Sequence, residues 1–97
     1  GINDIIIDPG FGFSKTTQQN YELFNNLEFF KEFQRPIIVG ISRKSMIYKI
    51  LNTTPEKALN GSSVLHTISL MKGANILRTH DVKEALECVK IVGQLNG

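Results

Sequence analysis

The sequence predicts an α/β fold, a parallel βαβαβα unit in which helices cover a sheet. Three observations carry this reading. The apolar runs at Ile5-Ile6-Ile7, Ile37-Ile38-Val39 and Asn75-Ile76-Leu77-Arg78 are continuous rather than alternating, as in strands buried on both faces. Stretches with helical spacing lie between and after them. No tight-turn signal joins one strand to the next, which argues against hairpins.

The first strand breaks sharply at Asp8-Pro9-Gly10, and Phe11 to Thr16 reads as a glycine-bearing loop. From Thr17 to about Phe33, Leu23, Phe24, Leu27 and Phe30 fall on one helical face, and Pro36 ends that helix. The second strand ends at Gly40, and Met46, Ile47 and Ile50 share a face of a helix over Ser42 to Leu51. Thr54-Pro55 is a helix start signal for a segment running to about Lys72, with Gly61-Ser62-Ser63 as a point of interruption and Gly73 as the stop. After the third strand, Asp81 and Glu84 form a capping-box pattern. Val82, Ala85, Leu86, Val89 and Val92 then trace the buried face of the last helix. The strand ends at Asp8, Gly40 and Arg78 recur at intervals near the ~31 residues per unit of an eight-unit barrel, the second interval being somewhat enlarged. A doubly wound sheet accepts the same intervals. Three parallel strands leave two open edges, so a neighbour is required, either further units of the same polypeptide or another copy.

The chain has 97 residues, enough for one small domain, and its 41% hydrophobic content argues against disorder. A net charge of +2 from 11 basic and 9 acidic residues, spread along the chain, gives no reason to expect a nucleic-acid partner. No window approaches the ~18 apolar residues of a membrane span, and no secretory leader is visible, which together predict a cytoplasmic protein. One cysteine, Cys88, excludes an internal disulfide and reads as a structural thiol in an amphipathic helix. The opening Gly1-Ile2-Asn3, without an initiator methionine, predicts a segment of a longer polypeptide.

In parallel sheets, ligands bind where strands run into the loops that precede the helices. All three such loops here are chemically unusual. In Asp8-Pro9-Gly10-Phe11-Gly12-Phe13-Ser14-Lys15, a carboxylate at a strand end can accept hydrogen bonds from a heterocycle, and two phenylalanines offer flat apolar surface. The bland alternative is a glycine turn in which Asp8 caps local amides. A phosphate-binding P-loop fits less well, because Ser14 stands where that motif needs its second glycine and the loop is one residue short. In Gly40-Ile41-Ser42-Arg43-Lys44-Ser45, two hydroxyls and two cations suit a carboxylate, carbonyl or phosphate. Two cations at a helix start oppose its dipole, which favours a ligand there over a solvated surface. In Arg78-Thr79-His80-Asp81, Arg78 and His80 point to one side if the strand persists, beside a helix N-terminus able to attract an anion. An ordinary ion pair at Arg78 is the competing reading. His66, among Val64, Leu65 and Ile68, reads as structural. No Cys/His metal spacing, G-x-S-x-G or G-x-G-x-x-G motif is present.

The ordered motifs DPGFGFSK at 8–15, GISRKS at 40–45 and LRTHDV at 77–82 resemble the C-terminal part of the dihydropteroate synthase family, over essentially the whole chain. That resemblance implies the sixth to eighth units of a TIM (β/α)8 barrel, incomplete alone, with residues 1–97 as one partial domain. It implies a transferase of folate biosynthesis that joins 6-hydroxymethyl-7,8-dihydropterin pyrophosphate to 4-aminobenzoate and releases pyrophosphate with help from Mg2+. By the same resemblance Asp8 would hold the pterin and Lys44 would bridge the two substrate pockets. Ser42 would meet the aminobenzoate carboxylate, and Gly12 and Phe13 would line that pocket. Arg78 would flank the pterin and, with His80, bind the diphosphate, leaving Lys44 and Arg78 as the catalytic pair. No metal ligand is expected from this chain. The Mg2+ ligands would come from the substrate diphosphate and from the first five units, which also carry two flexible loops and further pterin-binding residues. The segment alone is therefore expected to be inactive. A related pterin-binding barrel, such as a methyltetrahydrofolate methyltransferase domain, is the runner-up.

Overall fold

The computed structural model describes residues 5–12 and 15–96. Its sheet is parallel, as the continuous apolar runs predict. β1, Ile38–Val39, pairs with β2, Ile76–Leu77, in the register Ile38 to Ile76 and Val39 to Leu77. The first predicted strand is reduced to a parallel bridge between Ile7 and Ile37. There the Ile7 N–H donates to Pro36 O at 2.8 Å and the Ile38 N–H donates to Ile7 O at 2.9 Å. Asn75 extends the β1–β2 ladder, its side-chain Oδ1 accepting from the Ile37 N–H at 2.9 Å. The spatial order is the first segment, then β1, then β2, so all three strand ends meet at one rim.

The expectation of a first strand buried on both faces is corrected: Ile5 and Ile6 are 48% and 50% exposed. Successive strand side chains point to opposite faces, so both faces are open at this end among the described residues, and apolar side chains of a strand are covered only where a second layer or a neighbouring strand exists. The core is built around Phe11, Leu27, Ile37, Val39, Ile41 and Met46.

α1, Thr17–Asn25, opens with a capping box in which Thr16 Oγ1 accepts from the Gln19 N–H and Gln19 Oε1 accepts from the Thr16 N–H. The predicted continuous helix to Phe33 is broken. Asn26 turns its Nδ2 back onto Glu22 O at 2.9 Å, and a 3-10 stretch, Leu27–Phe33, follows. Short amide side chains that bond their own backbone compete with helical continuation. α2, Ser45–Tyr48, is one turn rather than the expected longer helix. Its position is fixed from α1 by the Tyr21 hydroxyl, which donates to Met46 O at 2.7 Å; burial pushes that phenol up from its ordinary value.

Thr54-Pro55 starts a 3-10 turn, Pro55–Lys57, and not the long helix itself. That helix, α3, runs Leu59–Met71 through Gly61-Ser62-Ser63 without interruption. It ends as predicted at Gly73, whose φ of +112° suits the left-handed position after a helix. The Ala74 N–H closes back to Ser69 O at 2.9 Å and the Gly73 N–H to Leu70 O at 3.2 Å, a Schellman arrangement. α4, Val82–Asn96, packs on α3 through Ala85, Cys88 and Val92. The free thiol of Cys88 is accordingly buried, with Ser63 O at 3.6 Å. The expected apolar face is only half right, since Val82, Leu86 and Val89 are 61%, 53% and 44% exposed. They line a groove of about 360 Å³ with Ile76 and Leu77, along the open edge beside β2. No helix among the described residues is long and apolar enough to cross a membrane.

Candidate functional site

At the rim where the strands end, the carboxylate of Asp8 and the guanidinium of Arg78 form an ion pair, Nη2 to Oδ2, at 3.0 Å. The other Asp8 oxygen accepts from the Gly10 N–H at 2.9 Å. Both bland alternatives, local capping by Asp8 and ion pairing by Arg78, are thus realised within the convergent arrangement. Burial raises the Asp8 carboxyl, but the Gly10 amide and the charges of Arg78 and Lys44 outweigh it and hold the group below its ordinary value. Lys44 is the third member. Burial, followed by repulsion from Arg78, pulls its ammonium below its ordinary value against the attraction of Asp8. Its Nζ donates to Phe11 O at 2.6 Å. The structure therefore gathers Asp8, Lys44 and Arg78, from three separate loops, at one rim.

Two recesses open on either side of Lys44. One, of about 100 Å³, is lined by Gly40, Ser42, Lys44, Arg78, Thr79 and His80. The other, of about 400 Å³, is lined by Phe11, Gly12, Arg43, Lys44, Ser45, Tyr48 and Pro55. Gly12 sits against the lysine stem, and a Cβ there would lie 3.3 Å from Lys44 Cδ. The strand does not persist through Thr79, yet Arg78 and His80 still face the same recess. Ser42 is buried, and its hydroxyl accepts from the His80 N–H at 3.2 Å and lies 3.2 Å from His80 Nδ1. Ser42 thus lines the smaller recess with His80, whereas Gly12 lines the larger one. Phe13 and Ser14 lie outside the described residues. Phe11 borders the larger recess but is almost wholly buried in the core, its ring tilted against that of Phe24 at a centroid distance of 5.6 Å.

A parallel α/β unit with an aspartate, a lysine and an arginine converging on two recesses suits a flat, anionic ligand, and sequence comparison agrees. The family model described as pterin binding enzyme matches residues 1–80. The chain belongs to that family. It is 47% identical to a dihydropteroate synthase of Escherichia coli over 88 residues, which covers 91% of this chain and 31% of that protein. A solved Yersinia pestis dihydropteroate synthase with a pterine–sulfa conjugate superposes with a TM-score of 0.96 at 42% identity, over 99% of this chain and 38% of that one. A Clostridium difficile dihydropteroate synthase solved in the presence of pteroic acid gives 0.93 at 36% identity, over 96% and 35%. The chain thus spans about a third of the length of the relatives it matches.

Within this chain, the basic pair Arg43-Lys44 is split. Only Lys44 faces the rim beside Asp8 and Arg78; Arg43 binds Asp81 by two bonds of 2.9 Å. The Asp81 carboxylate, read from sequence as a helix cap, is held below its ordinary value by the Arg43 fork. The P-loop alternative loses its lysine, because Lys15 Nζ donates to Gly10 O at 3.0 Å. One residue escaped the sequence reading, and another was read there only as one of two loop hydroxyls. Asn20, 1% exposed, accepts the Gly12 N–H at 2.8 Å and pins the first loop from α1. Ser45 lines the larger recess beside Gly12 and Lys44. Asn20 had a signal, a polar residue between helical apolar positions; Ser45 had only its place in the motif. Among the described residues no three His, Cys, Asp or Glu side chains gather where they could hold a metal.

Proposed function

We propose that this chain is the C-terminal part of a dihydropteroate synthase, the last three units of a (β/α)8 barrel, with residues 1–97 as one partial domain. The whole enzyme would condense 6-hydroxymethyl-7,8-dihydropterin pyrophosphate with 4-aminobenzoate in the cytoplasm. The observation that carries this is the convergence of Asp8, Lys44 and Arg78 between two recesses. An ionised carboxylate has about four acceptor sites, so Asp8 keeps capacity for pterin N–H groups beside its bonds to Gly10 and Arg78.

Lys44, which lines both recesses, would touch the two substrates at their junction. Holding two flat reactants in contact supplies the orientation part of catalysis. As the bond to pyrophosphate breaks, negative charge grows on the leaving oxygens, where Arg78 and His80 would stabilise it. Ser42, engaged with His80, belongs with that diphosphate side. Ser45, beside Gly12 in the larger recess, would offer its hydroxyl to the aminobenzoate carboxylate.

The carboxylates at this rim, Asp8 and Asp81, are each engaged by an arginine, so these residues do not form a magnesium cage. The ligands of a magnesium ion would come from the substrate diphosphate and other parts of the polypeptide. The same remaining units, or another copy, would cover the open edges beside Ile5 and the Val82 groove.

The test is condensation of radiolabelled 4-aminobenzoate by the intact polypeptide and by Lys44→Ala and Arg78→Ala variants. Product formed by the parent and lost in both variants supports the proposal. Turnover unchanged in both would remove it. Pterin binding with no influence of added pyrophosphate would point instead to a methyltransferase. The purified segment alone is expected to make no product.

A further inference from the structure

Arg43 occupies the middle of the second loop and borders the larger recess beside Lys44, yet every nitrogen of its guanidinium donates to a protein oxygen. Its backbone is left-handed, with φ +54°, a conformation that L residues other than glycine rarely adopt and that tends to be kept where the surroundings enforce it for function. The surroundings here are specific. Nε and Nη2 donate to the two Asp81 oxygens at 2.9 Å each, the bidentate geometry only arginine provides. Nη1 donates to Pro55 O and Glu56 O at 3.0 Å. The Arg43 N–H donates to Ser62 Oγ at 2.8 Å, and that hydroxyl donates to Ala58 O. One side chain thereby ties together the second loop, the 3-10 turn before α3 and the third loop.

The consequence lies in its neighbours. Lys44 follows directly and turns the opposite way, with Nζ against Phe11 O. Asp81 follows His80, whose N–H donates to Ser42 Oγ, one residue before Arg43. The Asp81 N–H is itself fixed by Thr79 Oγ1 at 2.9 Å. The two loops that present Lys44 on one side and Arg78 and His80 on the other are therefore tied by Arg43 to Asp81 and by Ser42 to both Thr79 and His80.

We propose that Arg43 and Asp81 act together as positioning residues, setting the separation of Lys44 from Arg78 and His80 for the transfer step. This rests on the synthase reading for its kinetic consequence but not for its structural one. A misplacement of reacting groups by about 1 Å can cost about 100-fold in rate. Arg43→Gln and Asp81→Asn in the intact enzyme should each lower kcat per folded enzyme by about 10- to 100-fold, while KM for either substrate moves less than about threefold. The double variant should be no worse than the worse single, because both remove one interaction. Arg43→Lys, which keeps the charge and loses the fork, should not rescue.

Hydrogen exchange supplies a readout independent of turnover: Asp81→Asn should speed exchange in residues 40–45 and 78–81 together. Faster exchange in both loops, in a parent without synthase turnover, would keep the clamp and remove the synthase reading. Unchanged exchange in Asp81→Asn overturns the clamp. So does an Arg43→Gln effect confined to KM for the pyrophosphate substrate and additive with Asp81→Asn, which would make Arg43 a direct ligand. Full activity in Arg43→Lys overturns it as well.

Discussion

Arg78 Nη2 and Asp8 Oδ2 meet at 3.0 Å across a sequence separation of 70 residues, joining the ends of the first and third strands. Their side chains remain 55% and 38% exposed, so water screens the pair and its contribution to stability is about 0.2–1 kcal/mol at most. A pair this weak can yield to a ligand while keeping both charges aimed at the same place. Arg78→Ala should therefore change the unfolding free energy of the intact protein by less than about 1 kcal/mol. If the charge works on a developing oxyanion, the same variant should lower kcat/KM by about 100-fold or more. Urea unfolding and steady-state kinetics on one preparation separate the two effects. A stability loss of several kcal/mol would make Arg78 a structural residue.

Gly12 combines a φ of +89° with the closeness of the Lys44 stem. Gly12→Ala meets both obstacles, a backbone region that costs an L residue about 1–2 kcal/mol and a Cβ 3.3 Å from Lys44 Cδ. The loop or the lysine must shift. We expect kcat/KM for the amine substrate to fall about tenfold or more, with a fall in melting temperature of only a few degrees from the backbone cost. Equal kcat/KM in variant and parent would show that neither the turn nor the lysine position matters.

The legibility of this chain divides along a physical line. Asp8, Lys44 and Arg78 could be placed at one rim from sequence because parallel strands bring their ends to the same side, whatever the details between them. The Gly73 stop was readable because its conformation excludes most other residues. The break at Asn26 was not, since Leu27 and Phe30 preserve helical spacing across it and the asparagine's bond to Glu22 O decides the matter. Exposure of Ile5, Leu86 and Val89 was unreadable for a different reason: periodicity reports which face is apolar, not whether anything covers it. Arg43 and Lys44 are adjacent and alike in charge, and only Asp81, across the next unit, separates their tasks.

Gly61 lies in the interior of α3, where alanine is intrinsically favoured by up to about 1 kcal/mol. The space is not there, because a Cβ would overlap Ile47 Cγ2 and crowd Leu51 Cδ1. Overpacking costs about 1–3 kcal/mol, so Gly61→Ala should lower stability in spite of helix propensity. Ile47→Ala on that background should recover part of the loss, giving a double variant more stable than the sum of the singles predicts. Thermal unfolding of the four proteins decides it, and strict additivity would mean that the helix shifts freely away from α2.

His66 is 2% exposed in α3, and its Nε2 has no hydrogen-bond partner among the described residues. Burial lowers its proton affinity below the ordinary value, and the charge of Asp81 only partly restores it. The folded protein therefore binds fewer protons here than the unfolded chain once the pH drops below about 6.5, the ordinary histidine value. Stability from this group is complete above that value and declines as the pH falls toward the depressed folded value, with a slope of at most about 1.4 kcal/mol per pH unit. Asp8 and Asp81, both depressed, behave differently in position: their contribution is complete above about pH 3.9 and is lost only below it. Between pH 7 and 5 the two windows do not overlap. Urea midpoints of the intact protein should fall across that interval, and His66→Leu should flatten the decline while leaving the loss below pH 4 in place. An equally steep decline in His66→Leu would assign the acid sensitivity to some other group.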